Sequence, residues 1–189
     1  LFITGLLQSL LGALSWMVLT RVDIFVFVNH LQRNQKEPSM KDVKDVNKLM
    51  RWVQRQSSVT TYARRVPPLC ITELSDAAYR ADDEDCLALR AAVAVLIEVR
   101  DGVPGGTMHL LDFYSRKQTR VNRSTFSAEL NALLEATDLG IVLCCFAGEV
   151  IHGTTSSREI ARSVEIGNLP FPLHLVGDAH AVFSAIVAS

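Results

Sequence analysis

The order of apolar segments predicts an α/β fold with a mixed sheet, preceded by an all-helical segment. Three strand-like segments follow one another between residues 69 and 114, and a long helix and a fourth strand-like segment come after them. Three consecutive strands favour an antiparallel meander. The fourth is expected to return parallel to the first through a right-handed crossover that contains the long helix.

The bulk composition indicates a globular protein with two differently charged parts. Of the 189 residues, 49% are hydrophobic and 21% are charged, which excludes a disordered chain. Residues 1–65 carry 10 Lys and Arg against 4 Asp and Glu, and residues 66–189 carry 9 against 16. This asymmetry suggests polyanion contact in the first part and cation binding in the second, although two solvated faces would also explain it.

The first 65 residues predict three helices, at 5–19, 22–33 and 40–55, with Ser39 as the N-cap of the third. Apolar residues follow one face of the third helix at helical spacing, and Trp16 and Trp52 are expected in the core. The opposite face carries Lys41, Lys44, Lys48, Arg51 and Arg55. Such a basic stripe either follows a phosphate backbone or is a solvated face.

The apolar run from Leu1 to Leu19 raises the alternative of a membrane anchor within residues 1–28. Polar residues interrupt this run and it has no basic leader, so two packed helices explain it and we expect no membrane partner. The four cysteines have no metal-ligand spacing, which favours reduced thiols and an intracellular location, cytoplasmic or nuclear. Because residue 1 is Leu, we expect a piece of a longer protein.

A polar, basic stretch ending in Pro67-Pro68 predicts a domain boundary, with domains at 1–65 and 66–189. Strands are predicted at 69–75, 88–99, 109–114 and 170–178, with residues 102–106 as a hairpin loop. The acidic run at 82–85 is expected to be a solvated loop. Helices are predicted from Ser124 or Thr125, at 157–166 and at 179–188, with a loop beginning near Gly148. The predicted buried stripe of the long helix is Phe126, Leu130, Leu133, Leu134, Ile141 and Cys145.

Three acids stand where this topology would gather them. Asp76 follows the first predicted strand, Asp178 ends the fourth, and Glu129 lies in the first turns of the long helix. Taken singly, each acid has an ordinary explanation, as a turn former or as an acid near a helix N-terminus. His180, close to Asp178, is expected to be a helix-start residue. Together the three acids predict a site for divalent metal ions, because an α/β sheet collects carboxylates at its strand ends.

The segments around these acids resemble the ribonuclease H domain of copia-type retrotransposon polyproteins. The resemblance also extends upstream, where residues 11–16, residues 20–24 and the Trp52 helix resemble the end of the preceding reverse transcriptase. The segments that carry it in the ribonuclease H part are Leu74–Tyr79, Asp112–Gln118, Arg123–Glu129 and Gly177–Ala181.

The resemblance implies a ribonuclease H-like fold that hydrolyses the RNA strand of RNA–DNA hybrids. It implies two Mg²⁺ ions, with Mn²⁺ as a possible substitute, bound by Asp76, Glu129 and Asp178. Residues 146–168 would be an insertion. A fourth acid, the last strand and a helix would lie beyond Ser189, and endoribonuclease activity is expected if that part is supplied. The remainder of the polyprotein would be a further partner. Hybrid phosphates would be held by Arg116, Lys117, Arg120 and Arg123, and by Lys44, Lys48 and Arg51 of the basic stripe.

Two alternatives stay open at the level of sequence. The first is a decayed or truncated fragment that folds and binds nucleic acid, or has a structural role, without cleaving it. The second is the membrane-anchored protein described above.

Overall fold

The computed structural model describes residues 2–57, 60–65, 67–79, 87–154 and 156–188, which form two compact units, Leu1–Ala63 and Arg64–Ser189. The predicted boundary after residue 65 lies two residues from this division. The acidic run at 82–85 and Cys86 lie outside the described residues. Within them, Cys70, Cys144 and Cys145 are free thiols.

The first unit consists of three helices, α1 (Phe2–Val18), α2 (Phe25–Arg33) and α3 (Met40–Arg55), with a short 3₁₀ turn at Val22–Ile24. Ser39 caps α3 as predicted, because its Oγ accepts a hydrogen bond from the Asp42 amide. Asp42 accepts one in return from the Ser39 amide, which completes a capping box. Hydrogen bonds from Ser39 and Asn34 lower the pKa of Asp42 to about 2. The buried apolar side chains include Leu7, Leu11, Leu14, Ile24, Val28, Leu31 and Val46.

The prediction that the two tryptophans lie in the core is wrong. Trp16 is 76% exposed and Trp52 is 42% exposed. Their helices bury narrower faces made of leucine and valine, which leaves both indoles at the edge of the unit.

The second unit contains the predicted four-stranded mixed sheet. Its strands are β1 (Leu69–Ala78), β2 (Leu89–Arg100), β3 (Val103–Lys117) and β4 (Leu173–Val176), in the order β3-β2-β1-β4. The pairs β1–β2 and β2–β3 are antiparallel, and β4 lies parallel to β1. The α/β class and the meander with an added parallel strand are therefore confirmed.

The β2–β3 hairpin turns earlier than predicted. Residues 102–106 were expected to form its loop, but β2 ends at Arg100 and β3 begins at Val103. The turn is Asp101-Gly102, with φ values of 53° and 80°. This Asp-Gly pair suits a tight two-residue turn, because both residues tolerate the left-handed conformation that such a turn needs. The later glycines therefore lie inside β3.

Three helices accompany the sheet: α4 (Thr125–His152), α5 (Ser157–Glu165) and α6 (His180–Val187). The predicted buried stripe of α4 is wrong in its residues, since Phe126 is 40% exposed and Leu134 is 55% exposed. The buried side of α4 is instead a ridge of small residues four apart, which lets the helix approach the sheet closely. This small-residue ridge comprises Ala128, Ala132, Ala136, Gly140, Cys144 and Gly148.

The approach of α4 is closest at its glycines. A Cβ atom on Gly140 would lie 2.6 Å from Cδ1 of Leu173 and 3.0 Å from Cγ of Glu73. A Cβ atom on Gly148 would lie 2.6 Å from Cβ of Pro170. The predicted loop at Gly148 is thus wrong, because this glycine allows α4 to pass the segment that leads into β4. The region predicted as an insertion contains the end of α4 and all of α5.

Beneath α4, Glu73 of β1 is completely buried. Neither of its carboxylate oxygens has a hydrogen-bond partner among the described residues, and the same holds for the buried Tyr114 hydroxyl. Burial, followed by the charge of Asp112, raises the pKa of Glu73 to about 7. The core of the second unit therefore contains a carboxyl group that is more stable with its proton than without it.

By length and composition α4 alone, among the described helices, could cross a membrane. Core helices of soluble proteins that are mostly buried meet the same criterion. The small-residue ridge of α4 packs on the sheet, and 22% of the apolar span is buried.

We expect Gly140→Ala to destabilise the second unit by about 1–3 kcal/mol, because the methyl group would overlap Leu173. Helix propensity alone would make the alanine variant more stable by about 1 kcal/mol. A loss of stability would therefore come from the steric clash. Gly12→Ala in α1 is the matched control, since no atom lies within 4 Å of its Cβ position. Urea unfolding followed by circular dichroism measures both, and stabilisation by Gly140→Ala would contradict the close packing.

We also expect the free energy of unfolding to fall as the pH rises from about 4.5 to about 7. In this window the folded chain keeps a proton on Glu73 that the unfolded chain releases, so deprotonation costs the native state on the order of 3 kcal/mol. Glu73→Gln should remove this loss and be the more stable protein at pH 8.

Urea unfolding at pH 5 and pH 8 measures the effect, with the exposed Glu165→Gln as the control. Equal pH dependence in Glu73→Gln and the parent protein would show that Glu73 is ionised in the fold at no cost.

Candidate metal centre

Asp76, Glu129 and Asp178 come together in the structure. Each offers one carboxylate oxygen, and these three atoms lie within 4.8 Å of one another. Among the described residues, this is the one group of three or more Asp, Glu, His or Cys side chains with such proximity. Asp76 and Asp178 are exposed and Glu129 is partly buried, so solvent ions have access to the group.

The parallel pairing of β1 with β4 accounts for the two aspartates. Leu74 pairs with Val176 at the last register position of the two strands. Asp76 and Asp178 each come two residues after this pair. They therefore lie side by side at the same edge of the sheet. Asp76 was predicted to follow its strand, but β1 continues to Ala78 through its pairing with β2. Asp178 was predicted to be the last residue of the fourth strand, but β4 ends two residues earlier, at Val176.

The N-terminal turns of α4 bring Glu129 to the aspartates. Ser124 caps the helix, its Oγ accepting a hydrogen bond from the Ser127 amide at 3.2 Å. Ala128 is fully buried and packs in one cluster with Ala77, the residue after Asp76. The Ala77 amide, on the strand that carries Asp76, favours the charged form of Glu129.

The negative charges of the three acids repel one another. Burial, then the neighbouring charges of Asp76 and Asp178, raise the pKa of Glu129, while the hydrogen bond from the Ala77 amide acts in the opposite direction. A bound cation would relieve this repulsion. Three carboxylates without imidazole or thiolate suit a hard cation that prefers oxygen ligands. The triad is therefore a site that could bind a metal ion.

The oxygen spacing fits this assignment. Oxygens bound to one Mg²⁺ at about 2.1 Å lie roughly 3–4 Å apart in an octahedral shell. Small rotations of the exposed Asp76 and Asp178 side chains would bring the triad from its 4.8 Å limit to that spacing.

A buried amide network, not anticipated from the sequence, holds the segment that leads into α4. Gln118 and Asn122 are 2% and 1% exposed. The Gln118 side chain donates to the Ala128 carbonyl at 2.8 Å and accepts from Asn122 at 2.6 Å. Asn131 in turn donates to the Asn122 side-chain oxygen at 3.0 Å. The network ties residues 118–122 to the turns of α4 that carry Glu129. Polar residues just before a helix are usually exposed to solvent, so the sequence did not indicate that Gln118 and Asn122 are buried.

The cations predicted near the triad have different surroundings. Arg116 pairs with Glu135 of α4, and its guanidinium lies 4.9 Å from the centre of the Tyr114 ring. Arg90 of β2 also pairs with Glu135, so this part of the basic surface fastens α4 to the sheet.

Arg120 and Arg123 are exposed, and neither has an ion-pair partner in the described part of the chain. Lys117 is exposed at the end of β3. Of the four predicted phosphate contacts, Arg120 and Arg123 are therefore the most available.

His180 begins α6, as predicted. Its ring nitrogen Nδ1 lies 3.3 Å from the Ser184 hydroxyl one turn later, and its amide donates to the Asp178 carbonyl. The predicted cations Lys44, Lys48 and Arg51 belong to α3 of the first unit.

Comparisons with models of known protein families, with curated proteins and with solved structures found no match for this chain.

Proposed function

We propose that the second unit is a ribonuclease H-like domain that hydrolyses the RNA strand of RNA–DNA hybrids with two Mg²⁺ ions. The observation that carries this proposal is the convergence of Asp76, Glu129 and Asp178 from β1, α4 and the end of β4. The mixed sheet with its parallel β1–β4 pair is compatible with that fold. The sequence resemblance adds the polyprotein context, next to a reverse transcriptase and inside the cell.

The chemistry follows from the charge of the substrate. A phosphodiester repels nucleophiles, and a bound metal pair supplies an activated water and charge stabilisation for the leaving 3′ oxygen. In this proposal Asp76, Glu129 and Asp178 would hold the ions, with Asp76 as the ligand that both ions share. Mn²⁺ would substitute, since it also accepts oxygen ligands.

Substrate selection would use the surfaces beside the triad. Arg120 and Arg123 would contact hybrid phosphates, with Lys117 and the exposed part of Arg116 next to them. RNA would be distinguished from DNA through its 2′-hydroxyl groups. Lys44, Lys48 and Arg51 of the first unit would also contact nucleic-acid phosphates.

We expect Mg²⁺-dependent cleavage of a labelled RNA–DNA hybrid, with no cleavage of the DNA strand. Asp76→Asn should lower the rate by at least about 100-fold, or roughly 2.7 kcal/mol in the barrier, because it removes the ligand shared by both ions. Asp138→Asn is the matched control, since Asp138 is an exposed acid of α4 away from the triad.

An Asp76→Asn protein that cuts as fast as its parent would refute this site. A parent protein that binds the hybrid but cleaves it with neither Mg²⁺ nor Mn²⁺ would favour the non-catalytic alternative, in which the fold survives as a nucleic-acid-binding fragment.

We further expect Mg²⁺ affinity to fall on acidification and to do so above the ordinary pKa of a glutamate. The raised pKa of Glu129 means that its proton competes with the metal at a higher pH than a solvated carboxyl group would allow. Calorimetric titrations between pH 5 and pH 8 measure this. Glu129→Gln should bind Mg²⁺ more weakly at pH 8 and with a smaller pH dependence. Unchanged affinity across this range would contradict a role for Glu129 as a ligand.

A further inference from the structure

A groove of about 1150 Å³ runs between α2 and α3 of the first unit. The buried side chains of Leu31 and Leu49 contribute to its lining. Two exposed aromatic residues also line it, Phe27 at 54% and Trp52 at 42% exposure. An exposed apolar groove of this size is a candidate binding site.

The groove also has a strongly basic margin. Four cations of α3 line it at helical spacing, so they form one row about 16 Å long at 1.5 Å per residue. His30 of α2 is a further basic residue in the lining, and Asp45 is the one acid there. None of the row has an ion-pair partner within the described residues. The row consists of Lys44, Lys48, Arg51 and Arg55.

One face of the Trp52 ring is covered by a cation of the first unit. The Arg21 guanidinium lies over its ring, 5.5 Å from the ring centre. Arg21 is itself fixed, donating to both carboxylate oxygens of Asp23 at 2.9 and 2.8 Å and to the Gln56 carbonyl at 2.8 Å. The indole is thus supported by a hydrogen-bonded cation and still lines the groove.

We propose that this groove binds single-stranded nucleic acid, with bases stacked on Trp52 and Phe27 and phosphates on the basic row. Aromatic surfaces beside a line of unpaired cations are what a flexible polyanion with exposed planar bases requires. A duplex would satisfy the cations but not the apolar lining, because its base faces are already stacked. An acidic peptide would satisfy the charge and is the alternative that the experiment must separate.

This inference goes beyond the proposed nuclease function and deepens one part of it. It assigns Lys44, Lys48 and Arg51 to an unpaired strand instead of the hybrid. It does not depend on the triad, so a catalytically inactive protein should bind equally well.

The chain contains two tryptophans, so Trp16→Phe leaves Trp52 as the single indole fluorophore. In this background, with metal ions chelated, a short oligothymidylate should quench the tryptophan fluorescence on binding. The logarithm of the association constant should fall with the logarithm of salt concentration at a slope of about −2 to −3, as expected for three or four phosphate contacts.

Variants then test each part of the groove by anisotropy of a labelled oligothymidylate. Trp52→Leu should weaken binding about 5- to 100-fold, and Trp52→Phe should restore most of it. Lys48→Ala and Arg51→Ala should each weaken binding. Lys36→Ala, in the exposed segment between α2 and α3 and outside the groove lining, should leave it unchanged. Circular dichroism confirms that each variant keeps its helices.

Three outcomes would overturn the proposal: binding without quenching, equal affinity for single- and double-stranded DNA, or a Trp52→Leu protein that folds and binds as its parent does. Preferential binding of an acidic amphipathic peptide, lost in Lys48→Ala, would assign the groove to a protein partner instead. None of these outcomes depends on hybrid cleavage. The cleavage rate of Asp76→Asn tests the triad alone.

Discussion

The close packing of α4 on the sheet is the constraint on which the second unit depends. The small-residue ridge brings the helix backbone near β1 and β4, and Glu135 pairs with Arg90 and Arg116 on the neighbouring strands. Because α4 lies so close, its first turns reach the edge where Asp76 and Asp178 meet. Larger side chains on this ridge would lift Glu129 away from the strand that its carboxylate contacts.

The same packing has an electrostatic cost. It seals Glu73 under α4 without a hydrogen-bond partner in the described part of the chain, and it partly buries Glu129 beside two other acids. Burial is the largest cause of the raised pKa in both groups, and neighbouring charges add to it. Glu73 is completely buried, whereas Glu129 is partly buried beside two exposed acids whose charges a cation can neutralise. Glu73 thus destabilises the core when it is ionised, and Glu129 suits a binding site for a cation.

The sequence predicted the elements and the triad well, because both rest on local patterns. Strand order followed from the succession of apolar runs, and the cap at Ser39 followed from its position just before the helical pattern of α3. Predictions about faces did less well. Large apolar residues were taken as the buried side of α4, but close approach favours alanine and glycine, which carry little hydrophobic signal. Trp52 was placed in the core for the same reason, and its contact with Arg21 is a tertiary feature that spacing does not show.

The small-residue ridge also limits which changes of length the chain can accept. Each inserted residue would turn the following part of α4 by about 100° relative to the part before it. An insertion between Glu129 and Gly140 would therefore rotate the acid away from the aspartates while the glycine stayed against Leu173. The segment after Gly153, where α4 has ended, has no such restriction. Variation in length among related chains should accordingly concentrate between α4 and β4 and avoid the first half of α4.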